Sequence, residues 1–460
     1  MGAAEGPELD ELRPAYLASA PEVRYASSVR NLVVSVLLAL AACSSPDAQP
    51  PRGDAGADVL APPTTSVAKD ISRGDGRYET ESYVAVADDG AVVAVWTLSL
   101  ASSIDLVYRI SPDRGDTWGD VQSISLPDGL SSVDPSVAVG ADGTFYFGML
   151  GWHYGGSATV DAASVWVATA KRGAKSFGAP VKVSDPTTAE FYDHPKIVVT
   201  QKGTVALGYM RAASYSAQTS RAEVTYRSGA GWVQTPLTLE STKGYANFVS
   251  FCEGAGRLYA TFNEFDAAGP HVSVRWSDDD GKTWSPSSTF ASSTSAIADG
   301  DPTCVADGDD LWVTYGIAKT KATGADQLEA MKSLRVAHSG DRGVSFLAPQ
   351  AEALDLSSSA VGLFPMLLRE PSGALDVVHI AGATLTDPAA RVVFTRSEDT
   401  VSFGAATLVD EPLTYQISRM GNDWLGDYLG ATIRGGAMYV VYPRNDGGAS
   451  RMWFRRMALP

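Results

Sequence analysis

Cysteine is scarce in this chain, with three among 460 residues. That is too few for a scaffold stapled by disulfides, so the fold must rest on a hydrophobic core, for which 45% hydrophobic content suffices. Positive charge is scarce as well. Lys and Arg number 36 against 53 Asp and Glu, for a formal net charge of −17 and a pI near 4.7. This balance argues against nucleic acid as a partner, because phosphates need a basic footprint. Only 5 His occur, without the closely spaced His/Cys set of a zinc site, and there is no EF-hand loop. Helical periodicity is confined to Gln327–Lys332, read as a loop insertion between strands. The apolar run Leu32–Ala42 is about half the roughly twenty residues a membrane-spanning helix needs.

That short run has a context. Arg24 and Arg30 precede it, and it ends in Leu40-Ala41-Ala42-Cys43 followed by Ser44, Ser45 and Pro46. The arrangement resembles a bacterial lipoprotein signal peptide with its lipobox, the alternative being a short buried helix. The resemblance implies lipidation at Cys43 and a location in the bacterial cell envelope, at the outer membrane or cell surface, since Ser44 rather than Asp follows the Cys. Residues 1–43 are then the signal region, with 1–28 an artefact of a start assigned upstream of Val29. Residues 44–64, rich in Pro, Ala, Asp and Gly, form a flexible linker. The two remaining cysteines, Cys252 and Cys304, are read equally well as a bridge or as small buried apolar residues.

From Tyr83 a hairpin pattern recurs seven times. It reads YVAVADDGAVVAVWT first, then begins again at Ser136, Lys196, Phe248, Thr303, Met366 and Asp427. Anchored on Val84, Val137, Ile197, Val249, Cys304, Leu367 and Leu429, the repeats are 52 to 63 residues apart. Five of them place a Gly six positions after the anchor (Gly90, Gly143, Gly203, Gly373, Gly435), as a turn needing positive φ requires. A third alternating strand and a short fourth complete each unit. Antiparallel four-stranded units in this number predict an all-β fold, a seven-bladed β-propeller, with six blades as the alternative count. Residues 65–460 form it as one domain. The last repeat ends after its third strand, Met452–Met457, so Thr65–Ile71 is expected to supply the missing edge.

Between third and fourth strands lies SPDRGDTW at Ser111–Trp118 and SDDDGKTW at Ser277–Trp284, with weaker echoes at Ala170–Phe177, Ser339–Phe346 and Ser397–Gly404. The Asp side chain can bond backbone N–H groups while Gly accepts positive φ. These turns resemble the Asp box, or BNR repeat, of the sialidase superfamily, and the segment Gly421–Asp446 resembles the last repeat of such proteins. As staples of the strand-three turn, the boxes report fold rather than activity.

Antiparallel strand order puts those turns on one face of the ring and the inner-strand starts on the other. The second face gathers Asp134, Asp193, His194, Asn247, Asp299, Asp301, Trp424, Asp427 and Tyr428, together with Trp152, His153, Tyr154, Arg211, Asn263, Glu264, His379 and Arg444. Polar groups with aromatic faces between them suit a glycan or another polar small ligand. Taken singly, each Asp before Pro reads as a cap on the strand start. The sialidase resemblance implies an alternative, an exo-acting glycoside hydrolase, with Arg211 and Arg444 clamping a carboxylate, Glu264 as base partner of a Tyr such as Tyr442 or Tyr428, and an acid among Asp134, Asp193 and Asp301. Arg77 is the third Arg nearest that face, and the Phe-Arg-Ile-Pro motif that carries the first sialidase Arg is absent. A scaffold binding proteins through an acidic rim is a further reading. No cofactor is expected apart from Ca²⁺, for which Asp299, Asp301 and Asp427 offer oxygen ligands. The chain is expected to be a monomer that reaches the membrane only through its lipid anchor.

Overall fold

A computed structural model describes residues 63–74, 78–99, 104–154, 160–184, 190–214, 217, 219–229, 231–233, 237–239, 244–266, 269–291, 301–318, 331–346, 361–382, 390–410, 426, 428–445 and 450–460. Among the described residues, regular structure apart from one 3-10 turn at Pro127–Gly129 is strand. The strands form seven antiparallel sheets arranged as a seven-bladed β-propeller. The inner strands of blades 1 to 7 are Tyr78–Val86, Ser131–Val139, Phe191–Val199, Tyr245–Gly254, Thr303–Asp307, Val361–Arg369 and Gly430–Arg434. Blade 5 shows three strands among the described residues.

Residues Met331 and Lys332 open the third strand of blade 5, Met331–Ser339, so the helical reading fails there; the rest of that stretch lies outside the described residues. Alternation over MKSLRVAHS explains the strand.

Hydrophobic clusters lie between neighbouring blades. Val84, Val92, Ala94 and Trp96 of blade 1 pack against Tyr439, Val441, Met452 and Phe454 of blade 7, with Ile71 from the N-terminal side. Each fully buried large side chain contributes about 1.5–3 kcal/mol. The ring closes as the edge argument requires: Lys69–Asp70 pairs with Phe454 and Trp453, flanked by backbone bonds from Ser66 N to Arg456 O and from Ile71 N to Met452 O. Side-chain hydroxyls stitch the inner strands: Ser136 Oγ accepts from Ile197 N, Thr303 Oγ1 accepts from Leu367 N, and Ser82 Oγ accepts from Gly430 N.

The repeated turns have the predicted mechanism. In Ser277–Trp284, Asp279 accepts from Thr283 N at 2.8 Å, Ser277 Oγ accepts from Gly281 N at 2.7 Å, and φ is +61° at Asp280 and +86° at Gly281. The Ser111 and Ser339 turns repeat this pattern. Trp118 packs edge-on against Phe454 of the neighbouring blade, with centroids 5.0 Å apart. Arg114 N donates to Gly90 O, so the first and third turns of blade 1 share a face.

Two repeat anchors are corrected: in blade 7, where Arg434 pairs with Ala437 across a two-residue turn, Ala431 opposite Val440 replaces Leu429, and blade 4 shifts likewise. Strand pairing aligns Phe251, opposite Ala260, with Val137, opposite Phe147, so Phe251 rather than Val249 is the equivalent position in blade 4. The tighter turn at Ala255 and Gly256, both at positive φ, removes the Gly that marks the register in other blades.

Candidate functional site

Five inner strands start with a β-bulge. Pairing slips between Thr80 and Ser82, Val133 and Ser136, Asp193 and Lys196, Asn247 and Ser250, and Leu363 and Met366. The residues at the slips, Glu81, Asp134, His194, Phe248 and Phe364, have φ of +50°, +53°, +48°, +56° and +55°. Left-handed backbone at a non-Gly residue costs on the order of 1–3 kcal/mol and persists only where the surroundings enforce it. In blade 5 Asp301-Pro302-Thr303 matches Asp134-Pro135-Ser136 in sequence. A bulge re-aims side chains: His194 reaches across the ring to Tyr428, whereas Glu81 accepts from Thr97 of its own blade.

Lys196 Nζ of blade 3 lies 2.8 Å from Asp301 Oδ2 beside blade 5. The same carboxylate oxygen accepts from Tyr83 Oη of blade 1 at 3.0 Å. The ammonium also sits over two rings, 3.5 Å from the centroid of Tyr428 and 4.4 Å from that of Tyr83. His194 Nδ1 is 2.7 Å from Tyr428 Oη, and the imidazole lies against Phe248 at 4.0 Å between centroids. Blades 3 and 7, 1 and 5, and 3 and 5 are not neighbours in a seven-membered ring, so these contacts cross its axis. Burial first, and then Asp301, hold the Tyr83 phenol well above its ordinary pKa, so it stays a neutral donor.

Beside this hub, Asp134, Asp193 and His194, all buried, bring one ligand atom each within 4.8 Å of one another. Asp193 Oδ1 accepts from His194 N at 3.0 Å, as Asn247 Oδ1 accepts from Phe248 N in blade 4 at 2.8 Å. One oxygen of Asp193 thus stabilises the backbone at the bulge. Its other oxygen faces His194 Nε2 at 3.6 Å.

The remaining predicted residues are dispersed. Arg211 pairs with Glu190 and, at 3.4 Å, with Glu223. Arg444 Nη1 lies 3.1 Å from Asp410 and its guanidinium stacks 3.8 Å from Trp453. Each Arg is thus engaged by carboxylates near its own blade, and among the described residues no shared partner joins the two. Glu264 Oε2 is held by Ser273 Oγ at 2.6 Å and His271 Nε2 at 3.0 Å. Tyr442 is buried and donates to Asp410 at 2.6 Å; burial first, and then Asp410, raise its pKa, opposite to what a nucleophile needs. His379 is enclosed within blade 6, where burial lowers its pKa to about 4. Asn263 is buried opposite Asn247, Trp152 is half-buried, and His153 is exposed. The side chain of Tyr154 and all of Asp299, Trp424, Asp427 and Arg77 lie outside the described residues, as does Cys43. Cys252 and Cys304 form a disulfide joining blades 4 and 5, with Sγ atoms 2.06 Å apart.

Lys196 and Tyr83 were missed by sequence reasoning. A signal existed for Lys196, a charged residue inside the otherwise buried inner strand FYDHPKIVV.

No family model matches the chain, and no curated protein matches it in sequence. Solved structures do match in shape. The polysaccharide lyase Uly1 aligns with a TM-score of 0.52 at 10% identity, covering 86% of this chain and 100% of that one. The shared fold is the β-propeller. The Hadza microbial sialidase Hz136 aligns with a TM-score of 0.51 at 15% identity, over 85% of this propeller and 68% of the sialidase chain. A protein of unknown function from Dyadobacter fermentans DSM 18053 also has a TM-score of 0.51 at 15% identity, over 85% and 99%. At these identities the likeness shows the propeller architecture.

Proposed function

We propose that this propeller binds a glycan or similar polar ligand at the axial mouth formed by the inner-strand starts. The observation that carries the reading is the polar and aromatic hub itself: six of the seven blades send Tyr83, Asp134, His194, Lys196, Phe248, Asp301 and Tyr428 to one place. Structural relatives that include a polysaccharide lyase and a sialidase support a sugar as the ligand class. Trp152 and the exposed His153, at the end of the second strand of blade 2, offer ring faces of the kind sugars stack on.

Sialidase chemistry is the weaker reading. A carboxylate clamp needs converging Arg side chains, whereas Arg211 and Arg444 already hold Glu190, Glu223 and Asp410. The axial hub, together with Asp193 beside it, carries three Asp against one Lys, which repels a sialic acid carboxylate. The disulfide, which persists in oxidising compartments, supports an extracytoplasmic location, as a chain tethered through Cys43 would have. The test pairs a glycan array with an aryl sialoside assay. Binding without release of the aglycone, weakened about tenfold or more by Trp152→Ala, is the expected result. Turnover abolished by Arg211→Ala would replace this reading with the hydrolase, and absence of binding to every glycan would end it.

A further inference from the structure

We infer that Asp134, Asp193 and His194 form a site for one divalent first-row transition cation, of which Zn²⁺ and Mn²⁺ are the representatives. Two carboxylates and an imidazole present ligand atoms within 4.8 Å of one another, and all three residues are buried. Asp134 Oδ2 is the independent sign. It is buried in a residue only 6% exposed and has no hydrogen-bond partner among the described residues. A buried carboxylate oxygen without a donor is costly, and a cation is the ligand that removes that cost where two carboxylates converge. Lys196 does not do so, because its ammonium is spent on Asp301 and the faces of Tyr83 and Tyr428.

The imidazole is arranged as a metal ligand. His194 Nδ1 meets Tyr428 Oη at 2.7 Å; with the proton on Nδ1 donated to that oxygen, the lone pair of Nε2 points to the side where Asp193 Oδ2 lies 3.6 Å away. Two ligands 3.6 Å apart, each about 2.1 Å from a common ion, subtend about 120° there, within the spread of a distorted tetrahedral site. Tyr428 is then a positioning residue that fixes tautomer and ring orientation. The choice of metal follows from the donors. An imidazole with two carboxylates suits Zn²⁺ or Mn²⁺, whereas Ca²⁺ and Mg²⁺ take oxygen-only sets. Three protein ligands leave a coordination position for water or a ligand hydroxyl. The inference does not depend on the glycan reading.

The experiment uses the full folded chain, stripped with chelator, dialysed against Zn²⁺, Mn²⁺, Ca²⁺ or Mg²⁺ in turn, and analysed by elemental mass spectrometry and titration calorimetry. One equivalent of Zn²⁺ or Mn²⁺ is expected per wild-type chain, with loss of binding in Asp134→Asn and affinity weakened about 10–100-fold in Tyr428→Phe. Co²⁺ added to the stripped wild type is expected to give visible d–d absorption, a readout that needs no variant to fold. A wild-type chain that retains no transition metal after reconstitution and gives no Co²⁺ spectrum overturns the inference. So does metal content unchanged in a folded Asp134→Asn protein, or a preference for Ca²⁺.

Discussion

Replacing Lys196 with Met keeps the apolar stem but removes the charged terminal nitrogen, which leaves Asp301 buried without its cation. The Lys196 and Asp301 side chains are 6% and 7% exposed and their charged atoms are 2.8 Å apart. At an effective dielectric constant of about 20, such a contact is worth roughly 6 kcal/mol gross, most of it offset by the desolvation of both ions. Truncating one partner is a different quantity, because the other charge stays buried: about 3–5 kcal/mol is expected. Loss of the ammonium over the Tyr428 and Tyr83 rings adds to this. Against a total stability of about 5–15 kcal/mol, Lys196→Met should shift the denaturant midpoint markedly, with intrinsic fluorescence and circular dichroism giving coincident transitions. In Asp301→Asn the lone Lys196 should cost a similar amount. The double variant should be more stable than the sum of the two predicts, with a coupling of about 2–3 kcal/mol. A cost below about 1 kcal/mol for Lys196→Met, or additivity in the cycle, would refute the claim that the axis is held by this ion pair.

Three further outcomes follow from the fold. Removing the Cys252–Cys304 bridge, which closes 52 residues of separation, by Cys252→Ala with Cys304→Ala should cost about 4 kcal/mol in the chain-entropy estimate, read as a lower denaturant midpoint than the oxidised protein. Gly115→Ala should destabilise by about 2–4 kcal/mol, since φ is +83° and a Cβ would stand 2.2 Å from Phe454 Cε1. Gly173→Ala, at φ +75° in open space, should cost only about 1–2 kcal/mol, and equal effects would contradict the close blade approach. Burial, and then the neighbouring Glu370 carboxyl, push Asp376 up to about 8. A carboxyl raised in the folded state favours folding below its unfolded pKa and loses that contribution as pH rises from about 4 through about 8. Asp376→Asn should therefore flatten the fall in stability across that window, and an unchanged pH–stability curve would count against the buried acid.

The architecture was legible because its signals are local. Gly at positive φ and Asp bonding the turn N–H of Thr117 or Thr283 are set within a few residues, and seven repetitions of a hairpin leave few alternatives to a ring. Even the closing strand could be argued from the unpaired edge of Ser450–Ala458. The site was legible only as a set of residues on one face. Which of them meet is decided by contacts such as Tyr83 with Asp301 and His194 with Tyr428, 218 and 234 residues apart in the chain, and no periodicity encodes those. His379 lies within the strand Leu375–Gly382, whose neighbours enclose its ring, and not on the open face. Arg211 looked free for a substrate because its neutralising partners lie 21 and 12 residues away, Glu190 just before the inner strand and Glu223 on the strand Ser220–Ser228.

The bulges explain why the chemistry gathers where it does. Their backbone is nearly the same in five blades, with φ between +48° and +56° at Glu81, Asp134, His194, Phe248 and Phe364, so the strain belongs to the way inner strands crowd the axis and not to any one activity. The side chain placed on that backbone is free to vary, and here it is Glu, Asp, His, Phe and Phe. Phe248 packs on the His194 ring. Asp134 and His194, next to Asp193, instead bring ligating atoms together on the side where blades 2 and 3 meet. A propeller that kept the bulges but carried Phe in place of Asp134 and His194 would conserve the ring and lose the site. The variants Asp134→Asn and Tyr428→Phe are accordingly expected to separate metal binding from folding, because neither changes the backbone that aims these side chains.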